Sequence, residues 1–264
     1  MALIAMVSAK GSPGTTTAAL ACTLSWFQRT VLAECDPAGG DVRAGYLSGL
    51  QVPTIGLLPL AVAELRGQTG AEFPQQLVDL DSQQPGHRLL LPGLTDPVQA
   101  TSLAGSWGRL ADFFSSLESI EPAYDVIADC GRLTTSTPPW PLLHRADLVL
   151  LVIRATSLRT ISPAVPAVAR LRQELTTHAR GAGSLAAVLV GSEYPAREVE
   201  KRLQVPVLGE LPIDVRAAGV LSDGGRLSGK EALLRAAVSL EADVRRHVAT
   251  YRTSLMTSVE ARRG

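Results

Sequence analysis

The sequence predicts an α/β fold with a single doubly wound, mostly parallel sheet and helices on both of its faces. Two features predict it. Short, continuous apolar runs alternate with segments of helical composition along most of the chain, which is the pattern of parallel strands buried on both faces. In addition, several of these runs end in turns that carry glycine and polar or acidic side chains, and open α/β sheets bind ligands where their strands end.

The composition fits one sizeable domain. The chain has 264 residues, 46% of them hydrophobic, which is enough to bury a substantial core. We expect residues 1–228 to form this domain and residues 229–264 to add an amphipathic helix and tail docked on it. Lys plus Arg and Asp plus Glu are equal at 25 each, so no overall field draws the protein to nucleic acid or anionic lipid. No specific nucleic-acid partner is expected.

The cysteines and the N-terminal segment indicate the compartment. Cys22, Cys35 and Cys130 fall in or beside predicted core elements without metal-ligand spacing, which is typical of small buried hydrophobes in a reducing cytosol. No basic segment precedes the apolar run Leu3–Val7, and this run is far too short to span a bilayer. We therefore expect a cytoplasmic protein that is neither secreted nor integrally anchored.

The run Leu3–Val7 leads into Ser-Ala-Lys-Gly-Ser-Pro-Gly-Thr-Thr-Thr at residues 8–17, and an alanine-rich helical segment follows. Such a turn brings backbone N–H groups together, and the start of a helix adds partial positive charge. The stretch is therefore suited to binding phosphate, and a plain turn before a helix is the alternative. The lysine of the ordinary phosphate loop, G-x-x-x-x-G-K-[ST], is replaced by Thr15, and Lys10 precedes Gly14 instead.

Two further strands end in acidic turns. The predicted strand Thr30–Cys35 ends in Asp-Pro-Ala-Gly-Gly-Asp at residues 36–41, where proline and glycine impose a turn. Residues 124–131, Tyr-Asp-Val-Ile-Ala-Asp-Cys-Gly, form another apolar run with Asp129 near its tip, where a carboxylate can hold Mg²⁺ through water. The alternative role of Asp36 is an Asx turn or a helix cap.

Together, these stretches resemble the ParA/MinD family of P-loop ATPases, whose deviant phosphate loop reads K-G-G-x-G-K-[ST]. On this match Lys10 is the signature lysine that opens the loop, Ser12 replaces a glycine, and Thr15 replaces the second lysine. The branch that loses this second lysine is similar to the TadZ/CpaE group, which is linked to pilus assembly and polar localisation. Residues 34–41 resemble the family's D-x-D-P-x-G segment, with Glu34 in place of the first Asp.

The resemblance implies a site for ATP and Mg²⁺. Lys10 and Asp36 are the implied catalytic residues, with Asp36 orienting the attacking water and Lys10 stabilising charge across a dimer. Thr16, Asp36 and Asp129 are the implied residues of the Mg²⁺ site. The implied contacts to the nucleotide, from the phosphate loop and from a late P-x-D turn, are Gly11, Ser12, Gly14, Thr15, Thr16, Thr17, Pro212 and Asp214.

Base specificity stays open. In the family, an Asn near the end of the strand predicted here at Leu185–Val190 reads adenine, whereas this chain has Gly191 and Ser192 in that neighbourhood. The alternative for the turn at Pro212 and Asp214 is an ordinary connection in which the aspartate caps the next helix.

The remaining elements follow from apolar periodicity. It predicts helices over 55–65, 73–80, 102–117 and 157–179, and strands over 88–91, 146–153 and 185–190. A surface loop is expected around residues 83–86. Trp107 and the Phe113–Phe114 pair are expected in the core rather than at an interface.

The last helix carries apolar residues three or four positions apart from Leu233 to Leu255, which predicts an amphipathic helix docked on the domain. MinD proteins end in a membrane-targeting helix, but the apolar face of this helix lacks bulky Leu, Phe or Trp residues beyond residue 255. Membrane association is therefore expected to be absent or peripheral, and binding to a partner or to a second copy is the alternative.

The resemblance thus implies a nucleotide-binding localisation or assembly factor with a degenerate phosphate loop. It would act as a homodimer with protein partners of an assembly or positioning system, and it would hydrolyse ATP weakly or not at all. One alternative is a genuine slow Mg-ATPase switch in partitioning or division-site placement. Another is a scaffold protein whose phosphate loop is vestigial and binds no nucleotide.

Overall fold

The computed structural model describes residues 2–49, 55–135, 137–178, 181–191 and 193–260. These residues form one eight-stranded sheet. Its strands are β1 (Leu3–Ser8), β2 (Thr30–Glu34), β3 (Val78–Asp79), β4 (Arg88–Leu91), β5 (Asp125–Arg132), β6 (Leu148–Arg154), β7 (Leu185–Val190) and β8 (Val207–Leu211). They lie in the order β3-β4-β2-β5-β1-β6-β7-β8, and all neighbours are parallel except the antiparallel pair β3 and β4. The predicted fold class is confirmed.

Helices connect most of the strands. They are α1 (Thr15–Ser25), α2 (Leu57–Leu65), α3 (Thr69–Glu72), α4 (Ala100–Leu103), α5 (Trp107–Ser116), α6 (Trp140–Arg145), α7 (Leu158–Ile161), α8 (Ala164–Thr177), α9 (Ala196–Leu203), α10 (Val215–Asp223) and α11 (Ala232–Glu260). Short 3₁₀ helices cover Phe73–Gln76, Pro97–Gln99 and Ala182–Ser184.

Both faces of the sheet are covered, as a doubly wound fold requires. One core lies between the sheet and a layer that includes α2, α5, α6 and α8, and it contains Trp107 and Phe114 as predicted. The other core lies between the sheet and α1, α10 and α11. Successive strand residues alternate between the two cores: in β1, Ala5 belongs to the first and Met6 to the second. The cysteines are buried free thiols, as expected: Cys22, Cys35 and Cys130.

The helix predicted over 73–80 is wrong. The chain forms a 3₁₀ helix at Phe73–Gln76, with Pro74 in its first turn, and then becomes extended as β3. β3 pairs with the outer edge of β4. These hydrogen bonds to a neighbouring strand outweigh a weak local helix preference, and they cannot be recognised from a short apolar pattern alone.

Two other predicted helices are each divided. The segment 102–117 contains the last residues of α4 and all of α5. A turn that includes Gly105, a poor helix former, separates the two helices. The segment 157–179 becomes α7 and α8, and Pro163 immediately precedes α8 because proline suits a helix start. Residue 179 itself lies outside the described residues.

The long helix α11 packs along α1 and β8. Its residue Arg245 places Nη2 2.6 Å from Oδ2 of Asp125 at the start of β5. The same carboxylate accepts hydrogen bonds from the Ala2 backbone and from the Trp26 indole. Asp125 therefore fixes α11 to the body of the protein. No helix within the described ranges is both long enough and apolar enough to cross a membrane.

Candidate functional site

The loops that follow β1, β2 and β5 meet at one edge of the sheet. Since the strand order places β5 between β2 and β1, and all three are parallel, their carboxyl ends are neighbours. This confirms that the phosphate loop, Asp36 and Asp129 converge. A cavity of about 590 Å³ opens there, lined by Ser8, Gly11, Ser12, Pro13, Gly14, Thr15, Thr16, Thr17, Asp36, Asp41, Val42, Ala44, Gly45, Gly131, Arg132, Leu221 and Ser222.

The phosphate loop leaves its backbone donors free. Gly11 and Gly14 have φ angles of 76° and 99°, in the left-handed region that favours glycine. Gly14 immediately precedes α1, and no side chain of the described residues caps this helix start. Within the described part of the chain, no acceptor takes the loop's N–H groups, which belong to Gly11, Ser12, Gly14, Thr15, Thr16 and Thr17. A group of free N–H donors at a helix N-terminus is an anion site.

Thr15 stands where an ordinary phosphate loop carries its lysine. The residue is only 7% exposed. Its Oγ1 atom is buried and has no hydrogen-bond partner among the described residues. A buried hydroxyl without a partner is costly, so this atom is suited to a ligand oxygen in the adjoining cavity.

Thr16 and Asp129 form the polar centre of the site. The Thr16 hydroxyl donates to Asp129 Oδ2 at 2.6 Å, and the Gly131 N–H donates to Asp129 Oδ1 at 3.0 Å. Burial raises the pKa of Asp129 to about 6, although both of these hydrogen bonds act in the opposite direction. A hydroxyl beside a buried carboxylate offers the oxygen ligands that Mg²⁺ prefers.

Asp36 lines the same cavity. It also forms an Asx turn, which was the alternative role considered for it. Its Oδ1 accepts the Ala38 N–H at 2.8 Å, as in an Asx turn. Its carboxyl group covers Gly131 so closely that a Cβ atom there would lie 2.0 Å from Oδ2. Burial raises the pKa of Asp36, and nearby Arg132 opposes that change.

Glu34, which replaces the family's first Asp, is structural. It is 2% exposed and does not line the cavity. Its Oε1 accepts the Val42 N–H at 2.9 Å, and its Oε2 accepts the Gly93 N–H at 3.0 Å. Burial raises the pKa of Glu34 to about 7. The side chain thus joins the loop after β2 to the loop after β4.

Lys10 is exposed and does not line the cavity. Its ammonium group has no hydrogen bond or ion pair with any residue that the structure describes. The phosphate loop therefore places its N–H groups at the cavity of its own chain, whereas Lys10 does not line that cavity.

A second cavity of about 200 Å³ adjoins the phosphate loop and contains the late turn. Pro212 and Asp214 line it together with loop residues Pro13 and Gly14. The Asp214 carboxylate accepts the Ala217 N–H at 3.0 Å and caps α10, which was the alternative role of this turn. Ser192 lies outside the described residues.

The sequence did not lead us to predict two arginines that line these cavities. Arg132 lines the larger one and Arg154 lines the smaller one. The position of Arg132 directly after Asp129, Cys130 and Gly131 was a usable signal, because the tip of a strand that carries a site residue often brings its neighbours to the same site. No comparable sequence signal indicated Arg154.

No protein-family profile matches the sequence, and no curated protein matches it either. Solved structures do match. A ParA family ATPase from Chlorobium tepidum TLS has a TM-score of 0.71 at 17% identity, over 91% of this chain and 97% of that chain. The Aquifex aeolicus cell division protein MinD has a TM-score of 0.66 at 14% identity, over 93% and 97%. An ATP complex of a Cyanothece McdA variant has a TM-score of 0.64 at 15% identity, over 94% and 96%.

At these identities the likeness concerns the fold. The similar structures are covered almost completely, so the shared architecture extends through the whole sheet and its helices. This chain has the fold of the ParA and MinD P-loop ATPases.

Proposed function

We propose that this chain binds a nucleoside triphosphate with Mg²⁺ and works as a positioning or assembly factor that hydrolyses the nucleotide slowly or not at all. The observation that carries the proposal is the set of free N–H donors of the phosphate loop, beside the Thr16–Asp129 pair and around one cavity. The McdA variant that shares this fold was solved with ATP, which supports ATP as the nucleotide.

The phosphates fit the loop for three reasons. The N–H groups of Thr15, Thr16 and Thr17 are the first of α1 and lie at the positive end of the helix dipole. Gly11 and Gly14 carry no side chain, and no atom lies within 4 Å of the place where a Cβ would be. The buried Thr15 hydroxyl adds one donor.

The metal fits the acidic side of the same cavity. The Thr16 hydroxyl would bind Mg²⁺, and Asp129 with Asp36 would hold the ion through water. The ion would neutralise phosphate charge when bound. The ionised form of Asp129 is disfavoured by burial, and a divalent cation would offset this cost.

The slow or absent turnover follows from Thr15. A threonine offers one hydroxyl to the terminal phosphates but no positive charge, and one well-placed electrostatic donor is worth roughly a hundred- to a thousandfold in rate. A genuine slow ATPase is the second candidate, because Asp36 lies at the cavity beside Gly131, where it could orient a water.

We further propose that Lys10 acts in a homodimer, across the interface between two copies. The exposure of Lys10 and its absence from the lining of its own cavity support this. Assignment to the TadZ/CpaE-like branch, with pilus or polar partners, rests on the Thr15 substitution alone. The second cavity, with Pro212 and Asp214, is the proposed place of the base.

Binding of a fluorescent ATP analogue, mant-ATP, tests the proposal. We expect Mg²⁺-dependent binding by the unmodified protein and at least tenfold weaker binding by Thr16→Ala. Thr177→Ala is the matched control, because Thr177 is exposed at the end of α8 and remote from the cavity. If the unmodified, folded protein binds no mant-ATP at millimolar Mg²⁺, the chain is a scaffold with a vestigial loop.

A further inference from the structure

We infer that Arg132 binds the terminal phosphate of the nucleotide. The inference rests on the proposed function and assigns a further binding residue to the same site. It comes from the path of β5 at its tip, from the charges that line the cavity, and from the lack of a partner for the guanidinium among the residues that the structure describes.

An irregularity in β5 directs Arg132 to the cavity. β5 pairs with β1 in regular register from Leu3–Val126 to Met6–Asp129, but the next recorded pair is Ser8–Arg132. One extra residue is therefore inserted in β5 after Asp129, as in a β-bulge. Alternation along a regular strand would place Arg132 on the face opposite Asp129. The inserted residue reverses this, and Arg132 lines the cavity together with Asp36 and Thr16.

Gly131 makes this bulge possible and fixes it. Its φ angle of 64° lies in the left-handed region, and a side chain at this position would collide with the Asp36 carboxyl group. Its N–H donates to Asp129 at 3.0 Å, and its carbonyl accepts from the Ser8 hydroxyl at 3.2 Å. The backbone that precedes Arg132 is thus held at both polar groups, so the side chain starts from a fixed point.

Charge favours a phosphate as the partner of Arg132. Among the described residues that line the cavity, Arg132 is the one cationic side chain, and Asp36 and Asp41 are acidic. Its guanidinium is exposed and forms no hydrogen bond or ion pair with the described residues. A planar guanidinium binds two oxygens of a phosphate at once, which an ammonium group does not.

The position of Arg132 in the cavity also indicates which phosphate it binds. The backbone donors of the phosphate loop lie on the β1–α1 side of the cavity, whereas Arg132 follows the strand tip that carries Asp129. Arg132 directly follows Gly131, where a Cβ atom would lie 2.0 Å from Asp36 Oδ2. Arg132 therefore faces the group that lies beside the metal residues and the water-orienting carboxylate, which is the terminal phosphate in the proposed complex.

The test compares Kd values for mant-ATP and mant-ADP at fixed Mg²⁺. We expect Arg132→Ala to weaken mant-ATP binding at least tenfold and mant-ADP binding less than threefold. Arg132→Lys should recover only part of the loss. Arg159→Ala is the control, because it removes one exposed positive charge from α7, outside both cavities. Thermal unfolding of each variant verifies that it is folded.

Two outcomes would overturn the inference while the proposed function stands. One is unchanged mant-ATP binding by folded Arg132→Ala. The other is equal weakening for mant-ATP and mant-ADP, since the contact would then be to an inner phosphate or to the base. If the unmodified protein binds neither nucleotide, the proposed function fails together with the inference.

Discussion

At the scale of single residues, the cavity is rich in hydrogen-bond donors and poor in positive charge. Within the part of the chain that the structure describes, neither the N–H groups of the phosphate loop nor the buried Thr15 hydroxyl has a hydrogen-bond partner. Lys10 does not line the cavity, and Arg132 is its cationic side chain within the described residues. Such a site is suited to holding phosphates in place, and it offers less stabilisation to the charge that develops when the terminal phosphate is transferred.

Replacement of Thr15 by lysine should therefore raise the rate of hydrolysis. We expect slow or absent phosphate release from the unmodified protein and at least a tenfold faster rate from Thr15→Lys. One well-placed electrostatic donor is worth roughly a hundred- to a thousandfold in rate, so this expectation requires only part of that effect. Steady-state phosphate release with ATP and Mg²⁺ measures this.

Thr177→Lys serves as the control for the added charge, since Thr177 is exposed on α8. Because Thr15 is buried, circular dichroism must show that the lysine variant is folded. Rapid hydrolysis by the unmodified protein, unchanged in folded Thr15→Lys, would show that the cavity does not depend on a charge at this position.

Local motifs determine which residue roles could be predicted. Thr16, Asp36 and Asp129 were expected at one site, and they meet because all three lie near the carboxyl ends of adjacent parallel strands, β1, β2 and β5. For Arg132 the sequence offered only its position close to Asp129, because the direction of its side chain depends on the pairing between β5 and β1. Glu34 was matched only to the first Asp of a motif, and its structural role could not be predicted because it depends on hydrogen bonds to distant backbone groups.

At the scale of elements, α6 and α8 are joined by a stack of flat side chains. The His144 ring lies between Trp140, with ring centroids 5.8 Å apart, and His178, at 3.5 Å. The guanidinium of Arg170 lies 4.7 Å from the Trp140 centroid. His144 also faces Glu174, with Nε2 3.2 Å from Oε2. The stack attaches the short helix α6 to the longer α8.

This stack predicts an acid-sensitive contribution to stability. Burial, followed by the electrostatic effect of the neighbouring His178, lowers the pKa of His144 below its usual 6.5, and Glu174 only partly opposes this. The unfolded chain therefore binds a proton at higher pH than the folded chain does. The free energy of unfolding should consequently fall as the pH decreases from about 6.5 through the lower folded pKa.

His144→Phe keeps a flat ring and removes the titrating group. Urea unfolding at pH 7, 6 and 5 should show a smaller loss of stability for this variant than for the unmodified protein. His247→Phe, which removes a histidine of α11 outside the stack, is the control. Identical pH dependence in His144→Phe and the unmodified protein would mean that other groups account for the acid sensitivity.

Elements with strong apolar runs were predictable, because a buried parallel strand needs only a short continuous run of such residues. β7 has the predicted bounds, Leu185–Val190. The edge strand β3 was not predictable, since two residues carry no periodicity and its extended conformation depends on β4. The divisions between α4 and α5 and between α7 and α8 follow single Gly and Pro residues, whose effect depends on how each helix packs against the sheet.

At the scale of the whole molecule, the proposed dimer brings Lys10 to a facing copy. Lys10→Ala should leave the thermal stability unchanged, because its side chain is exposed and has no partner within the described residues. It should reduce nucleotide-dependent dimerisation at least fivefold. Sedimentation velocity with and without a non-hydrolysable ATP analogue measures this.

Lys201→Ala is the matched control, because Lys201 is an exposed lysine on α9 and does not line either cavity by the phosphate loop. If the unmodified protein binds the analogue and stays monomeric at all concentrations, Lys10 has no role across an interface, and the chain works as a monomer.

The buried carboxylate of Glu34 has a consequence for how ligand binding could be communicated. It accepts one N–H from the loop that carries Asp36 and another from the loop after β4. The Gly40 N–H donates to the Leu94 carbonyl, and the Leu57 N–H of α2 donates to the Pro92 carbonyl. We expect these two loops and the first turn of α2 to move as one rigid unit. A displacement of Asp36 by a nucleotide would then reach α2 through the Glu34 carboxylate and these backbone hydrogen bonds.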